Sequence, residues 1–64
     1  MKRWCNKKSE NIENIKIDDF LKDIIKVCVK HKLTISHEDS HGGFEIEKFN
    51  ADNIDWLNNA SDNT

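Results

Sequence analysis

The chain contains no proline and no tyrosine, and it has only two glycines and two cysteines. Its longest apolar stretches, such as residues 27–29, span three positions. A transmembrane helix needs about 20 apolar residues and the core of a signal peptide about 7 to 15, so the sequence predicts neither. Two cysteines cannot build the disulfide framework of a small secreted protein. We therefore expect a reduced, cytoplasmic protein.

A large excess of charge of one sign is also missing. Twelve acidic and ten basic residues give this chain of 64 residues a net charge of −2, which does not provide the cationic surface that nucleic-acid binding requires. A chain of this length forms one small domain, with little room for a substrate pocket and a catalytic shell. We therefore expect a non-enzymatic binding protein that contacts neither membranes nor nucleic acid.

The hydrophobic pattern divides the chain into three parts. Residues 1–14 show no sustained period, and four of the first eight residues are basic, which predicts a flexible basic N-terminal arm. The small polar residues 61–64 predict a disordered tail. Residues 15–60 predict a single α+β domain with the order α-β-β-α: a helix, a β-hairpin and a short second helix.

Each element of this domain has its own periodicity. Apolar residues at spacings of three and four predict a helix from about Ile17 to His31. Alternation then predicts strands near 33–36 and 44–47, joined by a loop from Glu38 to Gly43. Asn50 is the expected N-cap of the second helix, because its side chain can accept from a free backbone N–H.

The predicted core is small, and an isolated hairpin leaves both of its edges unpaired. A domain of this size seldom folds alone without disulfides, a metal or a partner. We therefore expect the fold to be completed by a homo-oligomer, a dimer or larger. The predicted core residues are Phe20, Leu21, Ile24, Cys28, Leu33, Ile35, Phe44, Ile46, Ile54 and Leu57.

The hairpin loop concentrates more chemistry than a turn requires, with two imidazoles, two carboxylates and two glycines close together. His37 is in phase with Leu33 and Ile35, so we expect its side chain to point toward the core. One interpretation is a polar turn whose side chains bond the local backbone. The other is a ligand-binding loop made of Ser36, His37, Glu38, Asp39, Ser40, His41, Gly42, Gly43 and Phe44.

The segment 33–49, LTISHEDSHGGFEIEKF, is followed by NIDWL at 53–57. It resembles small uncharacterised phage and prophage proteins of low-GC bacteria that carry an SHED-x-HG-x-F hairpin, over roughly Val27 to Ala60. The resemblance implies an accessory or anti-defence factor in the cytoplasm of a bacterial host. Such factors bind a host protein or sequester a nucleotide-derived immune signal.

Two binding functions follow from the loop and this setting. The first is sequestration of a small nucleotide-derived signalling molecule, with the amides of Gly42 and Gly43 meeting a phosphate and Glu38 or Asp39 accepting from ribose hydroxyls. The adjacent carboxylates would repel a phosphate unless cations outweigh them. The alternative is an inhibitor that binds a host defence or nucleic-acid-processing protein directly. In that case the part of the chain after residue 8, in which acidic residues outnumber basic ones, would face a basic surface of the host protein.

A small zinc-binding protein is a further alternative. Cys28, His31, His37 and His41 form the spacing C-x2-H-x5-H-x3-H, and zinc accepts all four side chains. However, Cys28 falls in the apolar stripe of the predicted helix, where a small buried side chain is the simpler explanation. We therefore expect no metal and no cofactor.

Overall fold

A computed structural model describes all residues, Met1–Thr64, and shows a small α+β domain with two helices and two antiparallel hairpins. The expected α-β-β-α order is present but incomplete, because a further hairpin precedes it, giving the order β-β-α-β-β-α. The elements are β1 (Lys2–Cys5), β2 (Glu10–Glu13), α1 (Ile15–His31), β3 (Leu33–His37), β4 (Phe44–Lys48) and α2 (Ala51–Asn58).

The flexible arm expected at residues 1–14 is instead the hairpin β1–β2, in which Arg3 pairs with Ile12 and Cys5 with Glu10. The alternation that marks β1 is present, because Arg3 and Cys5 are buried while Lys2 and Trp4 are exposed. One of its two inward side chains is an arginine, so a search for alternating apolar residues cannot detect this strand. The prediction was wrong for this reason.

The disordered tail expected at residues 61–64 is also corrected. Asp62 is 2% exposed and forms a parallel bridge with Cys5. Its backbone N–H donates to the Trp4 carbonyl at 2.7 Å, and its carbonyl accepts from the Asn6 N–H at 2.8 Å. The tail is therefore bound to the edge of the N-terminal hairpin that residues 1–14 form.

Helix α1 begins two residues earlier than expected, at Ile15, because the Asn14 side chain caps it by accepting from the N–H groups of Lys16 and Ile17. Its last residue is His31, and the C-cap residue Lys32 adopts the left-handed conformation with φ 57° and ψ 36°. Its N–H reaches the Cys28 and Val29 carbonyls. Neither helix combines the length and the apolarity that crossing a membrane requires.

The second hairpin and the second helix confirm the expected elements. Leu33 pairs with Lys48 and Ile35 with Ile46, so the register is that of a hairpin with a loop over residues 38–43. The Asn50 side chain accepts from the Asp52 N–H at 2.8 Å and caps α2 as expected.

The hairpin buries a different face from the expected one. Thr34 and Ser36 are 1% and 8% exposed, because α2 lies over that side and Asn53 donates to the Thr34 hydroxyl at 3.1 Å. Leu33 and Ile46, on the opposite face, are 44% and 56% exposed. The predicted core was thus wrong for Leu33, Phe44 and Ile46, whereas Ile35 is partly buried beside α1. Most of the apolar face stays open.

Candidate functional site

The loop between β3 and β4 is organised around the carboxylate of Glu38. Its two oxygens accept from the backbone N–H groups of Ser40 and His41, each at 2.7 Å. The Glu38 backbone adds two further bonds, donating to the Gly43 carbonyl and accepting from the Gly42 N–H. Chiefly the Ser40 amide bond holds the pKa of Glu38 below its ordinary value. The Glu38 side chain and backbone together therefore hold the turn.

The two glycines of this loop have different conformational requirements. Gly42 has a φ of 72°, in the left-handed region that side chains with a Cβ rarely adopt, and Gly43 has no positive φ. A Cβ at either position would meet no atom within 4 Å. The glycines are thus not needed for close packing, and only Gly42 is needed for backbone conformation.

Each loop histidine has a carboxylate neighbour. His37 Nδ1 lies 2.8 Å from Asp39 Oδ1, and His41 Nδ1 lies 3.1 Å from Glu38 Oε2. The His37 ring does not point into the core as expected: its side chain is 52% exposed, and its centre lies 6.5 Å from that of the Trp56 ring on α2. It stands at the end of β3, where α2 provides a neighbour outside the apolar face of the sheet.

His37 and Asp39 border a polar groove of about 510 Å³ between the second hairpin and α2, which we call the acidic groove. Glu45 and Glu47 line it from alternate positions of β4, and Trp56 lines it from α2 with 48% exposure. Its full lining is Ser36, His37, Asp39, Glu45, Glu47, Asn53 and Trp56.

A hydrogen-bond network fixes the floor of the acidic groove. The Ser36 hydroxyl lies 3.0 Å from Glu47 Oε1 and 3.3 Å from Glu45 Oε1. Because a hydroxyl has one proton to donate, the two carboxylates share this donor. The Asn53 amide donates to Glu47 Oε2 at 3.2 Å. The Ser36 hydroxyl first, and then the Asn53 amide, lower the pKa of Glu47. Both groups therefore favour an ionised glutamate in the groove.

No lysine or arginine of the chain neutralises this groove. The ion pairs of the structure join Arg3 and the Met1 amine to Asp18. The two loop histidines lie beside Asp39 and Glu38, contacts that are ionic only when the imidazole is protonated. Glu45 and Glu47 have no cationic partner within 4 Å. The groove therefore presents negative charge beside an aromatic ring, an arrangement that attracts a cation.

The nine predicted site residues separate into three groups. Ser36, His37 and Asp39 line the acidic groove, whereas Glu38, Ser40, His41, Gly42 and Gly43 build the turn. Phe44, 72% exposed, belongs to the open face of the hairpin.

Sequence reasoning missed the remaining groove residues, which are Glu45, Glu47, Asn53 and Trp56. The alternation of glutamates with apolar residues along β4 is the signal that marks one acidic face. Nothing in the sequence shows that α2 covers that face.

The residues of the zinc alternative do not assemble into a site. Cys28 is buried in the core with 6% exposure, and His37 and His41 each face a different carboxylate. No group of three or more His, Cys, Asp or Glu side chains has an arrangement that could hold a metal ion.

Comparisons of the chain with protein-family models, with curated proteins and with solved structures find no match.

Proposed function

We propose that the protein is a non-enzymatic binding protein whose acidic groove holds a basic segment of a partner protein. The observation that carries this proposal is the pairing of unneutralised carboxylates, Glu45 and Glu47, with the half-exposed ring of Trp56 in one groove. In the phage setting that the resemblance implies, the partner is a host defence or nucleic-acid-processing protein, whose basic surface this chain blocks.

The small free energy of each individual contact favours a partner segment with several cations. An exposed ion pair contributes up to about 1 kcal/mol, and a cation above an exposed aromatic ring contributes about 0.5–1 kcal/mol. A single arginine would therefore bind only weakly, whereas a segment that places one arginine at Glu45 and Glu47 and another at Trp56 sums these terms. Arginine suits the groove better than lysine, because its planar group bonds a carboxylate and stacks on a ring.

The geometry gives less support to sequestration of a nucleotide-derived signal. A phosphate would need free backbone N–H groups in the loop, but the Gly42 amide that was expected to meet it donates to the Glu38 carbonyl. The amides of Ser40 and His41 donate to the Glu38 carboxylate. The nearby Asp39, Glu45 and Glu47 would repel the phosphate at close range. A cationic ligand meets neither obstacle.

The proposal is tested by calorimetric titration with three probes: a peptide of alternating arginine and glycine, its lysine counterpart, and a cyclic dinucleotide. We expect the arginine peptide to bind most tightly, the affinity to fall with added salt, and the dinucleotide not to bind. Dinucleotide binding without peptide binding would contradict the proposal and restore the nucleotide hypothesis.

Variants show whether the binding site is the acidic groove. We expect Glu45→Gln combined with Glu47→Gln to weaken peptide binding about tenfold, and Trp56→Ala to weaken it several-fold. The matched controls are Glu10→Gln combined with Glu13→Gln, two exposed carboxylates on β2, and Trp4→Ala, a residue that is also 48% exposed but lies on β1. Equal losses in the controls would show that the peptide responds only to overall charge and apolar surface.

A further inference from the structure

We propose that a second copy of this chain covers the open face of the β3–β4 hairpin. This surface, the open apolar face, continues from the hairpin onto one side of α1 and encloses a groove of about 280 Å³. The groove is lined mainly by aliphatic side chains, and Phe20, four residues before Ile24, lies on the same side of α1. The exposed side chains of the face are Phe20, Val27, Leu33, Phe44 and Ile46.

The exposed area reaches the lower limit for a dimer interface. Phe20, Val27, Leu33 and Ile46 are 62%, 56%, 44% and 56% exposed, and Phe44 is 72% exposed. With about 150–200 Å² for each large apolar side chain, these residues expose roughly 500 Å². Two such faces would bury about 1,000 Å² together, the size above which a specific interface is expected.

The shape of the face favours self-association. It combines a helix side that carries Phe20 with a neighbouring groove lined by Val27 and Ile46. A two-fold axis lets the helix side of each copy enter the groove of the other, so that every contact forms twice. This small protein also has a small hydrophobic core, since its only buried apolar side chains are Cys5, Leu21 and Cys28. A second copy supplies the apolar layer that the hairpin lacks.

Face-to-face packing is favoured over pairing of the free β4 edges. If two antiparallel β4 strands paired around Ile46, Glu45 of each copy would lie opposite Glu47 of the other. Like charges directly opposite each other destabilise a strand pair. The acidic groove lies on the other side of the hairpin, so a face-to-face dimer leaves both grooves accessible and lets one particle bind two basic segments.

The test compares two substitutions of the same residue type on opposite sides of α1. Val27 lies in the open apolar face and Val29 outside it, and their exposures are 56% and 57%. Sedimentation velocity between about 1 and 200 µM should give the wild type and Val29→Glu twice the chain mass of 7.5 kDa. Val27→Glu should sediment as a single chain, with its helical circular dichroism unchanged.

Three outcomes would overturn the proposal. They are a wild type that stays monomeric over this range, a Val27→Glu protein that remains dimeric, and a Val29→Glu protein that dissociates as readily as Val27→Glu. If the wild type is monomeric, the open apolar face is not a dimer interface and must bind a different protein. If Val27→Glu fails to fold, Ile46→Glu replaces it. The wild-type thermal midpoint supplies an independent readout, because it must rise with protein concentration for a dimer.

Discussion

The guanidinium of Arg3 donates to the carboxylate of Asp18 at 2.6 Å, with only 1% of the arginine side chain exposed. This contact joins β1 to the first turn of α1. The other terminal nitrogen of Arg3 donates to the carbonyls of Asn58 and Ala60, at the end of α2. A single side chain therefore connects the N-terminal hairpin to both helices, while its Nε has no hydrogen-bond partner.

We expect Arg3→Ala to destabilise the fold by about 3 kcal/mol, because the carbonyls of Asn58 and Ala60 lose their donor and the Asp18 carboxylate keeps only the Met1 amine. A chain of 64 residues has a total stability of roughly 3–10 kcal/mol, so the variant loses a large part of it. Urea unfolding followed by circular dichroism measures the change. Lys2→Ala, on the exposed side of β1, is the control and should change stability by less than about 0.5 kcal/mol. Equal effects would show that Arg3 does not connect the elements.

Acid should destabilise the folded state. Asp18, Glu38, Glu47 and Asp62 each have a pKa below the ordinary value, and the leading causes are hydrogen bonds from Arg3, from the Ser40 amide, from the Ser36 hydroxyl and from the Thr64 hydroxyl. A carboxylate that is more acidic in the folded state stabilises it fully above its unfolded pKa of about 4. This stabilisation is lost as the pH falls through the lower folded pKa.

The expected result is a thermal midpoint that is level from pH 7 to pH 5 and falls below about pH 4. Asp62→Asn should lower the midpoint at pH 7 and flatten the fall, because the carboxylate that accepts from Thr64 and Asn14 is gone. Asp23→Asn, on the outer side of α1, should leave the profile unchanged. A midpoint that is insensitive to acid would contradict the assignment of these carboxylates.

The sequence predicted the elements that repeat an apolar pattern, namely α1, the second hairpin and α2 with its Asn50 cap. It did not predict the first hairpin, because Arg3 occupies an inward position that the pattern reserves for apolar residues. That position is satisfied by Asp18 and by carbonyls from residues 58 and 60. Such partners are 15 to 57 positions away in the chain, so no local signal indicates them.

The candidate site was predicted only in part. The loop residues were identified from their unusual composition, but three of them, Glu38, Ser40 and His41, bond one another within the turn. The acidic groove depends on α2 lying over the polar face of the hairpin. The sequence favoured the opposite face, since Leu33 and Ile35 are apolar, and the contact of Asn53 with Thr34 is not visible in any periodicity.

The left-handed C-cap of α1 offers a stabilising substitution. Lys32 has a φ of 57°, where a side chain with a Cβ is strained by about 1–2 kcal/mol. Lys32→Gly removes this strain but frees the unfolded backbone, so we expect a net gain of about 0.5 kcal/mol. Lys30→Gly, inside the last turn of the same helix, should instead cost about 1 kcal/mol. The two thermal midpoints should move in opposite directions, and a shared direction would contradict the strain at Lys32.

A related comparison tests the two loop glycines. Gly42→Ala should destabilise by about 1 kcal/mol, because alanine must then adopt a φ of 72°. Gly43→Ala should be neutral or slightly stabilising, since its Cβ meets no atom and its φ is ordinary. Thermal melts of the two variants provide the measurement. Equal effects would mean that the loop adapts to either substitution.

The carboxylate of Glu38 should protect the amides that it accepts from. In Glu38→Ala the N–H groups of Ser40 and His41 lose their 2.7 Å bonds, so we expect their hydrogen exchange to accelerate about tenfold or more while amides of β3 and α1 keep their protection. The matched control is Glu45→Ala, because that carboxylate accepts only from the Ser36 side chain and no loop amide depends on it.

In the wild type, the chemical shifts of the Ser40 and His41 amides should titrate with a single transition below the ordinary glutamate pKa. If Glu38→Ala also gains affinity for inorganic phosphate, the loop amides form an anion site that Glu38 normally fills. Unchanged exchange at Ser40 and His41 would show that the turn is held by its backbone alone.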